Sequence, residues 1–361
     1  MQATSQLARL REVARPLGAL VVGVAAFLLS IRLLSGASAA LSPSLVPVLD
    51  RVVMGPLSAL GASWLATYPV LNGTAIAALS MVLYTEALVT PLELFLMICG
   101  SRFGSVTIVL LVGSVEYVRQ RDVSLRDAMW FGVLSFLVTW SVYLPVTALG
   151  YVTLAPLTPR LSAMASRFTL EFAALDSLEP FIERIVETLG PLGAGLVALG
   201  LLLGSLRLFD SAFDAVDVEQ VRDSLARHGR NHWFLFAIGF VVTALSTSVA
   251  FSLGVVVPLS VRGYVERDEL LPYILGANVG TLIDTVAIAI VLDEPVGLAV
   301  VLFTAALATL VATVFVVAYP WYEAAIETIF ETAVETRRHF LAFLGLLVAL
   351  PLVLLVVERL V

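Results

Sequence analysis

The chain has 361 residues, 60% hydrophobic and 14% charged, with a mean hydropathy of +0.99 and a formal net charge of -7. Apolar stretches long enough for a span of about 20 residues recur along it, which reads as an all-α integral membrane protein with no length left for a sizeable soluble domain. No basic run offers a nucleic-acid surface, the cations are all arginine, and the lone Cys99 excludes an internal disulfide.

Arg9, Arg11 and Arg15 precede a first apolar run, 17–34, which predicts a retained span in a cell membrane with the N-terminus cytoplasmic. A Ser/Pro-rich stretch, 35–50, leads to a second apolar region, 56–89, interrupted at Tyr68-Pro69-Val70-Leu71-Asn72-Gly73-Thr74. Each arm of that region is about 15 residues, or roughly 22 Å as helix, shorter than a crossing, so a re-entrant hairpin with its tip in the membrane is expected. Asn72-Gly73-Thr74 is formally a glycosylation sequon, but its apolar setting favours the hairpin tip.

Thr90-Pro91-Leu92-Glu93 is a capping-box start, so a new helix runs from there through Gly100-Ser101-Arg102-Phe103-Gly104-Ser105 to about residue 112. A charged turn with Glu116, Arg119, Arg121, Asp122, Arg126 and Asp127 precedes a span over 129–152. A polar connector, 153–190, follows and contains an amphipathic, acidic stretch over 178–189.

The second half replays the first. Pro191-Leu192-Gly193-Ala194 echoes Pro16-Leu17-Gly18-Ala19, and Ser205-Leu206-Arg207-Leu208 echoes Ser30-Ile31-Arg32-Leu33, both 175 residues on. Thr243, Glu269, Gly276 and Gly280 then repeat Thr67, Glu93, Gly100 and Gly104 at 176, a one-residue slip that a single insertion leaves. One copy contains an odd number of spans whether or not the hairpin crosses, so the second copy is expected to be inverted. Arg119, Arg121, Arg126, Arg222, Arg227, Arg230, Arg337 and Arg338 then fall on the cytoplasmic side; Arg160, Arg167 and Arg184 fall outside, among acidic neighbours. The expected organisation is a first repeat over 16–152, the connector over 153–190, an inverted repeat over 191–319, and an amphipathic segment with a last membrane helix over 320–361.

Gly276-Ala277-Asn278-Val279-Gly280-Thr281 reads as a break in a membrane helix, where backbone turned inward can line an ion or solute site. Its first-half twin is Gly100 to Ser105. Sodium needs oxygen ligands, and Asn278, Gly280, Thr281, the in-span carboxylate of Asp284, and Ser248 supply them. A partly dehydrated anion needs donors; Asn72, Gly73 and Thr74 at one tip, Ser246, Thr247 and Ser248 at the other, and Arg102 supply those. Arg102 could face the anion, stand by tether where a sodium ion sits in the other copy, or neutralise Asp284 or Glu86. The hydroxyl clusters could also serve as glue between helices, and Glu86 could line the path or face water in a turn. His228, His232 and His339 lack metal-ligand spacing, and no nucleophile, metal cluster or nucleotide loop suggests an enzyme.

These residues resemble the sodium/phosphate cotransporters that repeat a Gln-Ser-Ser-Ser hairpin and a Gly-Ala-Asn-Ile-Gly-Thr break. The resemblance covers 56–113 and 231–291, with Leu271-Pro272-Tyr273-Ile274-Leu275 before the break and Gly239 and Thr243-Ala244-Leu245 leading into the second hairpin. At the Gln-Ser-Ser-Ser positions this chain carries Leu71-Asn72-Gly73-Thr74 and Thr247-Ser248-Val249-Ala250, and Arg102 stands where asparagine is usual. The resemblance implies a symporter of phosphate with sodium (Na+) as coupling ion, working by alternating access. Transport of another small anion, an oxyanion or a carboxylate, stays open, as does a non-transporting subunit or sodium channel on the same scaffold. The lipid bilayer is the expected surrounding, and a homo-oligomer is compatible with the sequence.

Overall fold

The computed structural model describes residues 2–119, 125–165, 177–213, 231–246 and 267–359, and within them every regular element is α-helical. The helices are α1 (Gln2–Val52), α2 (Pro56–Val70), α3 (Gly73–Thr85), α4 (Pro91–Arg119), α5 (Leu125–Ala165), α6 (Glu179–Phe213), α7 (His232–Ser246), α8 (Arg267–Gly280), α9 (Leu282–Val291), α10 (Pro295–Val317), α11 (Tyr319–Val334) and α12 (Arg337–Val357). Among the described residues six stretches are long and apolar enough to cross a bilayer: Leu17–Val52, Trp130–Leu161, Glu179–Phe209, Glu269–Val291, Pro295–Val317 and Arg338–Val357. The protein is thus an all-α, multi-pass membrane protein. Arg121, Arg167, Arg222, Arg227, His228 and Arg230 lie outside the described residues.

Two expected connections turn out to be helix. The Ser/Pro-rich stretch 35–50 continues α1 without interruption. Helix α1 packs along α6, where Phe27 and Phe209 meet with ring centroids 6.1 Å apart and an added Cβ on Gly36 would lie 2.8 Å from Ile182. Ala37 and Ser38 are buried in this stretch, while Pro43, Ser44 and Pro47 stay exposed on the continuing helix. Likewise α5 runs on past residue 152 to Ala165, with Pro145, Pro156 and Pro159 inside it. The acidic stretch and the following span form α6, joined at Gly190, whose φ of 70° and ψ of 160° leave the helical region. That left-handed φ is one that glycine adopts at little cost, and it separates the amphipathic turns from the span.

The hairpin forms where the sequence interrupts. Helix α2 spans 15 residues and α3 spans 13, and the chain reverses at Leu71, in the left-handed region at φ 57°, and Asn72. Asn72 Oδ1 accepts from Ala75 N at 2.9 Å, the bond an N-cap makes to the third residue of its helix. The capping box at the start of α4 is also present: Thr90 N donates to Glu93 Oε2 at 2.7 Å and Glu93 N to Thr90 Oγ1 at 3.3 Å. Helix α12 packs on α2, and its C-terminal Glu358 accepts from Leu57 N and Ser58 N, each at 2.9 Å, placing a carboxylate at the positive end of the α2 dipole.

The two glycine pairs differ from expectation in one respect and agree in another. Gly100 to Ser105 lies inside the unbroken α4, so the first pair is no break. The second interrupts the helix only at Thr281, between α8 and α9, and Thr281 N still donates to Ala277 O at 3.0 Å. What both pairs do is let two backbones touch. Glycines four apart share a helix face, and Gly100 and Gly104 face the carbonyls of Leu60 and Trp64 on α2. Gly276 and Gly280 face the carbonyls of Phe236 and Phe240 on α7, each 176 residues beyond its counterpart. Both glycine pairs thus meet backbone carbonyls at matching positions of a neighbouring helix.

Candidate functional site

Polar side chains are scarce in this apolar bundle, so their placement is informative. Arg102, on α4 beside the packing face of Gly100 and Gly104, exposes 3% of its surface. Its guanidinium crosses to the junction of α8 and α9. Nη1 donates to Thr281 Oγ1 at 2.9 Å, and Nη2 to Thr285 Oγ1 at 2.6 Å and Asp284 Oδ1 at 3.3 Å. The side chain of Asp284 is wholly buried and forms an ion pair with this arginine. Thr285 Oγ1 donates to Asp284 Oδ1 at 2.7 Å, and Thr74 Oγ1, in the first turn of α3, donates to Oδ2. Both carboxylate oxygens are thus satisfied, whereas Arg102 Nε has no hydrogen-bond partner among the described residues.

This arrangement follows from local structure. Gly73 lets the hairpin tip rest on α4: an added Cβ would lie 2.8 Å from Ser101 O and 2.9 Å from Ser105 Cβ. That contact puts Thr74 within reach of Asp284. Helix α5 supports the junction from another side, with the buried Tyr143 hydroxyl donating to Asn278 O at 2.7 Å. Around it Trp64, Phe103, Trp140 and Phe136 pack with ring centroids 5.0 to 5.3 Å apart. A buried ion pair between like-sized partners is neutral as a unit; either member alone would be a strongly disfavoured charge.

A match to a family model completes the description. Residues 201–349, from α6 into α12, match the model of the Na+/Pi-cotransporter family. Over those residues, fewer than half of the chain, it is similar to the sodium/phosphate cotransporters. No curated protein and no solved structure matches the chain. The family named by that match is one of transporters and not an enzyme class.

The site residues expected from the sequence divide into three groups. Thr74, Arg102, Thr281 and Asp284 come together in one cluster. Asn72, Gly73, Asn278 and Gly280 hold the frame around it. Asn72 caps α3, Gly73 and Gly280 serve close helix contacts, and Asn278 Nδ2 donates to Ile274 O at 2.8 Å. Ser246 is buried at the end of α7, while Thr247 and Ser248 lie outside the described residues. Of the roles left open for Arg102, the geometry is the pair with Asp284 and not with Glu86. Glu86 ends α3 and, with Arg32, Glu179, Glu183 and Glu187, lines a cleft of about 640 Å³ between α1, α3 and α6; burial raises its carboxyl pKa.

Two members of the cluster escaped the sequence reading. Thr285 was signalled by its hydroxyl next to Asp284. Tyr143 sits mid-span with no local pattern to mark it, and only tertiary packing brings its hydroxyl to Asn278. Among the described residues no group of histidine, cysteine and acidic side chains has metal-site geometry. His232 instead meets the ring of Tyr319 at a tilt, with centroids 3.7 Å apart, and His339 lies near Glu335 at the surface.

Proposed function

We propose that the chain is a sodium-coupled symporter of inorganic phosphate, in which two inverted halves, 16–152 and 191–319, alternate access to a site between them. The connector over 153–190 and the segment over 320–361 complete the scaffold in this reading. The observation that carries it is the buried cluster of Thr74, Arg102, Thr281, Asp284 and Thr285, which joins the hairpin and α4 of the first half to the α8–α9 junction of the second. A carboxylate with two threonine hydroxyls suits sodium, which takes oxygen ligands. A guanidinium beside a helix N-terminus suits a tetrahedral oxyanion, which takes a fork of N–H donors.

The anion side then comprises Asn72, Gly73, Thr74 and Arg102 with Ser246, Thr247 and Ser248 of the opposite tip. Sodium takes Ser248, Asn278, Gly280, Thr281 and Asp284. Several of these act through backbone groups or through the frame described above. A second reading, another oxyanion or a carboxylate as substrate, is favoured by one observation: neither hairpin carries the glutamine of the Gln-Ser-Ser-Ser motif.

The test is uptake into proteoliposomes. With an inward sodium gradient the native protein accumulates labelled phosphate, and with choline in place of sodium it does not. Asp284→Asn abolishes sodium-driven accumulation. Uptake of sulfate or a dicarboxylate in place of phosphate would move the substrate assignment to the second reading, and no uptake of any of them from folded protein would refute the symporter.

A further inference from the structure

The cluster holds one positive and one negative group, and each occupies the place that the other's ligand would need. The hydroxyls of Thr281 and Thr285 and Oδ1 of Asp284, which a sodium ion would take, are filled by the two Nη atoms of Arg102. The Nη donors of Arg102 that an oxyanion would take are turned onto Thr281, Thr285 and Asp284, and of its nitrogens only Nε has no partner among the described residues. We propose that the Arg102–Asp284 pair is a coupling lock: sodium binding at Asp284 releases Arg102 to bind phosphate, and phosphate binding at Arg102 releases Asp284 to bind sodium. The proposal rests on the symporter reading and specifies how that site couples its two ligands.

Buried charge couples the two ligands. With the site empty, guanidinium and carboxylate neutralise each other out of water. If sodium alone binds at Asp284, the guanidinium is left buried without a counter-charge; if phosphate alone binds, the carboxylate is. When both bind, each protein charge has a partner again. Singly liganded states are therefore disfavoured relative to the empty and doubly liganded ones, and the two ligands raise each other's affinity by the same factor, as linkage requires. The geometry of guanidinium adds selectivity, because its planar fork matches two oxygens of an oxyanion at once.

The test is equilibrium binding of labelled inorganic phosphate to purified protein in detergent, in sodium chloride and in choline chloride. The native protein should bind phosphate more than about tenfold tighter in sodium, within the usual range of coupling between sites. Asp284→Asn frees Arg102 permanently, so phosphate binding should persist in choline and the sodium effect should fall below about twofold. Arg102→Gln should lose phosphate binding, yet its thermal midpoint should rise on adding sodium without phosphate. The double variant, which buries no charge, should fold and show neither response. An Asp284→Asn protein that keeps the native dependence on sodium would overturn the lock while leaving symport intact. An Arg102→Gln protein with no response to sodium would overturn it too, a result that does not depend on Asp284→Asn folding. A native protein that binds no phosphate in sodium would refute the symporter reading, and the lock with it.

Discussion

Arg102→Ala is expected to lower the stability of the folded protein by about 3–5 kcal/mol, the cost of leaving a buried carboxylate without its partner. Asp284 keeps hydrogen bonds from Thr74 and Thr285, but neither brings a positive charge. The measurement is thermal denaturation in detergent followed by tryptophan fluorescence, in choline chloride so that no sodium can substitute. The double variant Arg102→Ala/Asp284→Asn should recover most of the loss, because a polar but neutral pair of sites no longer buries a charge. A double variant as unstable as the single one would mean that the arginine acts by filling space and not by pairing.

The second large effect is expected at Gly276. An added Cβ there would overlap the carbonyl oxygen of Phe236, and backbone cannot step aside as a side chain does. Gly276→Ala should therefore force α8 away from α7 and destabilise the protein by about 3 kcal/mol, at the upper end for overpacking. Gly104→Ala should cost less, since an added Cβ would come to 2.5 Å from Thr67 Cβ and 2.8 Å from Trp64 O, a milder overlap than with Phe236 O at Gly276. Gly200→Ala is the control: an added Cβ meets nothing within 4 Å, and the change should stay below about 1 kcal/mol. Equal effects at Gly276 and Gly200, compared by thermal midpoint, would show that close backbone contact does not govern α8.

These two sites mark what the sequence could and could not convey. Glycines at a spacing of four are visible in any sequence, but the same letters serve a break and a close helix contact. Asn278 and Thr281 around the second pair suggested opened backbone, yet nearly all of that helix stays intact because α7 lies against its glycine face. The hairpin was legible because it rests on local chemistry: Asn72 caps, Gly73 yields, and two arms too short to cross flank the turn. The long helices were underestimated in α1 and α5, which run on through prolines on their exposed faces, Pro43 and Pro47 in one and Pro156 and Pro159 in the other. Asp284 stood out as a carboxylate within a span. Its partner did not, because three acceptable roles for Arg102 differ only in where a long side chain points. Tyr143 had no signal at all.

The pattern also accounts for how the chain departs from the Gly-Ala-Asn-Ile-Gly-Thr motif of the family it resembles. Arg102 takes the first-half position matching Asn278, so the equivalent of an amide in one half is a guanidinium in the other. Asn278 turns back onto its own helix at Ile274, while Arg102 reaches across to the second half. A buried charge pair thus links the two stretches: Arg102 on α4 and Asp284 on α9.

Coupling itself is tested most directly by running it backwards. Proteoliposomes carrying the native protein are loaded with equal labelled sodium inside and out, the voltage is clamped with a potassium ionophore, and phosphate is imposed on one side only. The account predicts that phosphate entering down its gradient drives labelled sodium inward above its external concentration, and that Asp284→Asn removes this uphill movement. Sodium that only equilibrates, unaffected by phosphate, would contradict a symporter and identify a leak through the same scaffold.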